Sequence, residues 1–335
     1  VDVFLNSTKT VPTDPRVVER LVEIQQLLGD DLAWVEATLE RTCADGVIPA
    51  TSAAQHLVER GGKRVRPVTA LLSAACFGNV GPEARSIALV SELVHSATLL
   101  HDDVADEGTE RRGVKTARLI YGNAVSVLAG DLLLTHAIDM TYKDAPSSLP
   151  DLLATMRLLV DGEVVQLRGR SELDLREETY DRVVRGKTAS LFAFACRAGA
   201  RASNAPAADI LRLGRFGELL GIAFQLVDDL LDYQSQNTGK TSLIDLREGK
   251  LTLPLVIAVE KEPELLPLIQ RIHSGELELV SRVANRVIAL GACAVVRERA
   301  LAVTERALEA ILPLKDTHAK QLLDGVAREL AARAQ

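Results

Sequence analysis

GPEARSIALVSELVHSATLLHDDVADE, residues 81–107, holds both the architecture and the chemistry of this chain in miniature. Gly81-Pro82-Glu83 opens it as helices open, with a proline in the first turn followed by an acid. The body, from Ile87 to Leu100, is apolar almost all round, which predicts a central helix of a bundle rather than a surface one. No further proline appears until Pro146, and 151–205 and 207–253 are likewise proline-free. Long runs without a breaker, rich in Ala, Leu, Glu and Arg, favour helices. Apolar residues recur at three- and four-residue steps in Leu21, Ile24, Leu27, Leu28 and in Leu213, Phe216, Leu219, Leu220. Asp14-Pro15 reads as another helix start, and Gly29, Gly61-Gly62 and Gly78 as stops or turns. Strand-like alternation with hairpin turns is absent. These features predict one large all-α domain of roughly a dozen helices, without a linker or low-complexity tract.

Of the 335 residues, 47% are hydrophobic and 25% charged, ample for a packed core and too balanced for a disordered chain. Aromatics are 3% and the net charge is −7, so a general nucleic-acid binder is excluded for want of stacking platforms and basic stripes. Cys43, Cys76, Cys196 and Cys293 show neither paired nor zinc-like spacing and read as buried apolar thiols in a reducing compartment. No uninterrupted apolar run approaches the ~20 residues that span a bilayer, and no basic-then-apolar leader is seen. A cytoplasmic protein without a transmembrane segment is expected.

Carboxylates break the apolar pattern at two places. His101-Asp102-Asp103-Val104-Ala105-Asp106 and Val227-Asp228-Asp229-Leu230-Leu231-Asp232 both read DDxxD. On a helix Asp102 and Asp106 lie one turn apart on one face, as do Asp228 and Asp232. Like charges so placed repel unless a cation lies between them. Hard oxygen donors suit Mg²⁺ or Mn²⁺, and Mg²⁺ is commonly held by few carboxylates together with waters and phosphate oxygens. A solvated helix end would explain one such run; two, each in an apolar helix and followed by basic residues, point to a polyphosphate site. Lys63, Arg64 and Arg66 beside Gly61-Gly62, then Arg111-Arg112, Gly186-Lys187-Thr188, Lys240 and Lys250 supply the cations that bind phosphate. No Walker A or dinucleotide fingerprint accompanies them.

GGKRVRP (61–67), HSATLLHDDVADEGTERRG (95–113), GNAVSVLAGD (122–131), GEVVQ (162–166), GKTASL (186–191), FQLVDDLLDY (224–233) and DLREGKLTLP (245–254) resemble the trans-isoprenyl diphosphate synthases, in that family's order. The resemblance implies an isoprenoid synthase bundle around a deep central cavity, usually a homodimer. It divides the single domain into N-terminal helices (1–50), a catalytic core (51–255) and C-terminal helices (256–335). The reaction implied is head-to-tail condensation of isopentenyl diphosphate with a geranyl, farnesyl or geranylgeranyl diphosphate, releasing pyrophosphate. Asp102, Asp103, Asp106, Asp228, Asp229 and Asp232 would carry the Mg²⁺ sites, three ions with bound diphosphate, with Asp102, Asp106 and Asp228 as first choices. Arg111, Lys187, Thr188, Gln225, Lys240 and Lys250 would hold the allylic diphosphate. Lys63, Arg66, His95 and Arg112 would hold isopentenyl diphosphate.

In such a reaction metal ions and cations stabilise the charge that develops on the departing diphosphate. An apolar cavity protects the carbocation from water. The departing pyrophosphate is the expected proton acceptor. Bulky aromatics just before the first DDxxD would block elongation in this family, but Ala97 and Thr98 stand there, and Val104-Ala105 lack the insertion of many short-chain bacterial enzymes. The resemblance is therefore to medium- and long-chain members such as octaprenyl diphosphate synthase, with a C30–C50 all-trans product centred on C40. Leu128, Leu132 and Leu133 are the candidate tunnel floor. Between Lys240 and Asp245, Thr241-Ser242-Leu243-Ile244 replaces a glycine common in the family, which unsettles the role of Lys240. A C15–C20 synthase, a non-catalytic subunit of a heteromeric synthase, and another class I terpenoid enzyme are the rival readings.

Overall fold

The computed structural model describes residues 15–59, 61–111, 113–234 and 243–333. Sixteen α-helices occur among them, together with one short two-stranded hairpin. The chain divides into two compact units: Val1–Leu153, Phe194–Gly214 and Leu314–Gly325 form the first, and Ala154–Ala193, Arg215–Pro313 and Val326–Gln335 the second. The all-α expectation therefore holds. The count exceeds a dozen because short helices such as α5 (Ala117–Tyr121) and α11 (Ile244–Glu248) lack the length for a legible period.

The first unit begins with α1 (Pro15–Ala44), α2 (Ala50–Val58) and α3 (Val65–Ala75). Gly29 does not stop α1. The buried series Ile24, Leu28, Leu32, Val35, Leu39, Cys43 runs through it at helical spacing, and that burial outweighs the ~1 kcal/mol a mid-helix glycine costs. Leu27 lies on the opposite, exposed side. Next comes α4 (Pro82–Ala105), with Gly81 in extended backbone as its N-cap and Pro82 in its first turn, as the sequence predicts. Ala84, Ile87, Ala88, Leu89, Val90, Leu93, Val94, Ala97 and Leu100 are all inaccessible.

The partner of α4 is α6 (Asn123–Asp144), whose buried face is Ser126, Ala129, Gly130, Leu133, Ala137 and Thr141. Small residues along that face let the two backbones approach closely. A Cβ on Gly130 would collide with the ring of His101, whose Nε2 lies 3.1 Å from the Val127 carbonyl oxygen. By length and composition α6 is the one helix among the described residues apolar enough to cross a membrane, and 33% of its most apolar stretch is buried. It meets that measure although Asp131, His136 and Asp139 interrupt its apolar run.

In the second unit α8 (Glu177–Val183), α12 (Leu253–Lys261), α14 (Val280–Ala289) and α15 (Ala292–Ile311) share a core with buried residues of α10 (Ala207–Gln234). Ile222, Leu226, Val227 and Leu230 of α10 pack there with Leu255, Val256, Ile257, Val283 and Val296. α13 (Leu265–His273) also lies in this unit, while α7 (Leu149–Glu172), α9 (Ser190–Ala202) and α16 (His318–Ala332) have residues in both.

The cysteines are all free thiols. Burial pushes Cys43 and Cys76 up to about 12 and Cys196 to about 11, so none is a thiolate at neutral pH. Cys293 is half-buried rather than buried, and its thiol is raised by the same cause.

Candidate active site

The first DDxxD closes α4. His95, Thr98, Asp102 and Asp106 follow one another on its half-buried side, while Ala97 and Asp103 are turned inward at 0% and 3% exposure. The Thr98 hydroxyl donates to the His95 carbonyl at 2.8 Å, so only its methyl is left to line a surface. Asp103 accepts from Arg111 Nε at 2.9 Å, and Arg111 Nη2 lies 2.7 Å from the same oxygen. Arg111 is carried there by the antiparallel hairpin Glu110–Arg111 and Val114–Lys115, the one element among the described residues that contradicts the expected absence of strands. Two residues on each side are too few to show alternation in sequence. Thr116 Oγ1 donates to the Gly108 carbonyl at 2.8 Å, and Arg118 Nη1 donates to the Glu107 carbonyl at 2.7 Å. The segment after the motif is thus held by side chains that motif reading did not single out.

Upstream, Lys63 is exposed and Arg66 half-buried, whereas Arg64 between them is turned into the protein. Arg64 adopts φ 47° and pairs with Glu36 at 2.6 Å and Glu92 at 2.5 Å. Glu92 lies in the apolar body of α4, and a lone acid there was the available signal of a buried cation. Burial lowers Arg66 to about 10, with the Glu92 carboxylate opposing the shift, so Arg66 keeps its charge near neutral pH. Replacing Arg64 by Met would strand two carboxylates, one of them fully enclosed. A loss of about 3 kcal/mol is expected, read as a lowered denaturation midpoint. An unchanged midpoint would show the pair to be unimportant.

The second DDxxD divides in the same way. Asp228 is exposed and Asp232 half-buried, while Asp229, at 2% exposure, is fully engaged by the protein. Tyr180 OH donates to its Oδ2 at 2.7 Å, the Leu253 amide to the same oxygen at 3.0 Å, and Gln225 Nε2 to Oδ1 at 3.0 Å. Burial nevertheless raises Asp229 to about 7, the three donors opposing it. Asp245 is raised to about 8, first by burial and then by the charge of Asp232, to whose carboxylate it turns its amide at 3.3 Å. Lys250 lies 2.8 Å from Glu248 and 3.9 Å from Asp245.

Lys187 and Thr188 belong to a π-helical turn, Val184–Ala189, inserted between α8 and α9. Such wide turns are recurrent at functional sites because they rotate side chains off the helical register. Lys187 pairs with Glu163 of α7, and Thr188 Oγ1 donates to Gln225 Oε1 at 2.9 Å. Glu163 belongs to GEVVQ, a segment whose sequence by itself does not reveal the lysine it meets. The crossing is possible because Gly186 meets Gly162: a Cβ on Gly186 would lie 2.7 Å from the Leu158 carbonyl oxygen, and one on Gly162 2.8 Å from the Lys187 amide.

Leu128 is 60% exposed, Leu132 rests on Gly46, and Leu133 is fully buried, so the three face different surroundings. Arg112 and Lys240, with Thr241 and Ser242, lie outside the described residues.

Residues 49–287 match the family described as polyprenyl synthetase. The chain belongs to that family. The octaprenyl diphosphate synthase of Escherichia coli is 37% identical over 92% of this chain and 97% of its own length. The decaprenyl diphosphate synthase structure from Rhodobacter capsulatus is 36% identical, with a TM-score of 0.86 over 93% of this chain and 98% of that one. A Caulobacter crescentus polyprenyl synthase, crystallised with calcium and isoprenyl diphosphate, is 32% identical, with a TM-score of 0.87 over 97% of this chain and 100% of that one. This polyprenyl synthetase is accordingly a prenyltransferase, a trans-prenyl diphosphate synthase, and its family binds divalent cations and isoprenyl diphosphates.

The donors suit such an ion. Among the described residues no three His, Cys, Asp or Glu side chains gather closely enough to hold a metal by themselves. Oxygen donors presented in ones and twos are the usual provision for Mg²⁺, which keeps waters and takes phosphate oxygens.

Proposed function

We propose that this polyprenyl synthetase condenses isopentenyl diphosphate with an allylic diphosphate to an all-trans product of C30–C50, centred on C40. The observation that carries the length is the residue type before the first acidic motif: Thr98 is half-buried with its hydroxyl spent on its own helix, and Ala97 beside it is small and packed inward. No aromatic stands on that stretch to stop a growing chain. The octaprenyl and decaprenyl names of the relatives support the same range. Leu128, Leu132 and Leu133 remain the proposed floor residues, of which Leu133 is fully buried, Leu132 half-buried and Leu128 exposed.

In this reading Asp102, Asp106, Asp228 and Asp232 present oxygens to Mg²⁺, and three ions accompany the bound diphosphate. Mg²⁺ would draw off the negative charge that develops as the allylic carbon–oxygen bond breaks. Asp103 and Asp229 contribute by holding the frame. Arg111, Lys187, Thr188, Gln225, Lys240 and Lys250 grip the allylic diphosphate, and Lys63, Arg66, His95 and Arg112 grip isopentenyl diphosphate. The pyrophosphate released takes the proton. The whole chain acts as one domain in the cytoplasm, in keeping with its unpaired thiols. It works as a homodimer, which the exposed Leu119, Ile120 and Val127 of α5 and α6 support.

Incubation with farnesyl diphosphate, labelled isopentenyl diphosphate and Mg²⁺, followed by sizing of the dephosphorylated products, tests the proposal. A ladder ending between C30 and C50 is expected. Products ending at C15 or C20 would overturn the length. No incorporation with any primer from C5 to C20 would make the chain the silent subunit of a heteromer.

A further inference from the structure

Asp229 ties three segments of the second unit together, and each tie has a reason. The Leu253 amide opens α12, where Thr252 provides no side-chain cap. A first-turn amide left without a partner inside a protein is costly, so the Asp229 carboxylate serves as the cap. Gln225, one turn before Asp229, turns its NH₂ to Oδ1, which fixes the amide so that its oxygen receives the Thr188 hydroxyl. The remaining donor is Tyr180 OH, at 2.7 Å from Oδ2, from a side chain only 6% exposed. Burial and the neighbouring carboxylate keep this phenol protonated well above its ordinary range, so it stays a donor throughout.

We propose that Tyr180 is a positioning residue for the allylic diphosphate, acting through Asp229 on Gln225 and Thr188. The Leu253 and Gln225 donors hold one oxygen each. The Tyr180 hydroxyl adds a second donor on Oδ2 from another helix, which stiffens the plane of the group and the amide of Gln225 with it. The relay runs Tyr180 to Asp229 to Gln225 to Thr188, within one unit and largely out of water. Hydrogen bonds in such surroundings reinforce one another, and a chain of them is stiffer than its separate links. No aromatic of the quoted motifs pointed to Tyr180, which lies seven residues before Lys187.

The inference rests on Lys187, Thr188 and Gln225 holding the allylic diphosphate, and its test separates the two. Tyr180→Phe removes one oxygen and keeps the ring in the core. Calorimetric binding of farnesyl diphosphate with Mg²⁺ should weaken about tenfold, the value of one charge-assisted hydrogen bond passed on. The KM for isopentenyl diphosphate should stay within about twofold of the parent. Asp229→Asn should weaken the same binding, and the double variant should be no worse than Asp229→Asn alone, because the two residues act in series. Multiplied losses in the double variant would overturn the relay. So would a Tyr180→Phe protein with a lowered melting temperature and unchanged diphosphate affinity, which is what a purely structural phenol gives. If Lys187→Ala leaves farnesyl diphosphate binding intact, the assignment of the diphosphate residues fails instead, whatever Tyr180 does.

Discussion

Asp102→Asn is expected to lower kcat about 10³-fold, the scale on which loss of one group that stabilises a developing anion is felt. The same variant should melt within about 2 °C of the parent, since a half-buried polar change on a helix end costs little stability. Asp103→Asn should behave in the opposite way. Its carboxylate is enclosed and receives Arg111 at 2.9 and 2.7 Å, so an amide there disrupts a charged pair and costs about 1–3 kcal/mol. Activity should then fall through the loss of Arg111 placement, and added Mg²⁺ should not restore it. For Asp102→Asn, saturating Mn²⁺ should recover part of the rate, because the missing group is a metal donor. Thermal melts and metal titrations of the two purified variants make the comparison. Equal melting temperatures and equal metal responses would show that the neighbouring carboxylates do the same work.

That division of labour inside DDxxD is where the sequence stopped being informative. Spacing alone places positions one and five of the motif on one face and leaves position two at their side. It does not say whether position two meets water, metal or protein. Tyr180 lies 49 residues from Asp229 along the chain, and only folding brings them together. The same holds for Glu163 and Lys187. By contrast the central helices were legible from a handful of residues: Leu213, Phe216, Leu219 and Leu220 are all enclosed, as their spacing predicts. Gly29 is deceptive because a glycine can punctuate a helix or sit inside one, and the buried apolar series on either side of it, Ile24 to Cys43, decides for the second. The short hairpin at Glu110–Lys115 was invisible because it owes its form to Arg111, Thr116 and Arg118 reaching back to the helix end rather than to strand propensity.

Gly162 and Gly186 illustrate a constraint that belongs to backbone alone. Gly186→Val is expected to destabilise the protein by about 3 kcal/mol and to raise the KM for the allylic diphosphate about tenfold. The added Cβ would stand 2.7 Å from the Leu158 carbonyl oxygen and 2.9 Å from the Gly162 Cα. Neither obstacle is the end of a flexible side chain, so α7 and the π-helical turn must separate. Lys187 is the next residue, and separation pulls it from Glu163. Gly81→Ala is the control: its Cβ meets nothing within 4 Å, and the cost should stay under about 1 kcal/mol. The decisive comparison is between Gly162→Ala, Gly186→Ala and the pair. Once the first methyl has forced the crossing open, the second finds room, so the double variant should cost clearly less than the sum of the two. Additive costs, measured by denaturant unfolding, would mean that each glycine serves a separate local need. The close crossing would then not be what sets Lys187 in place.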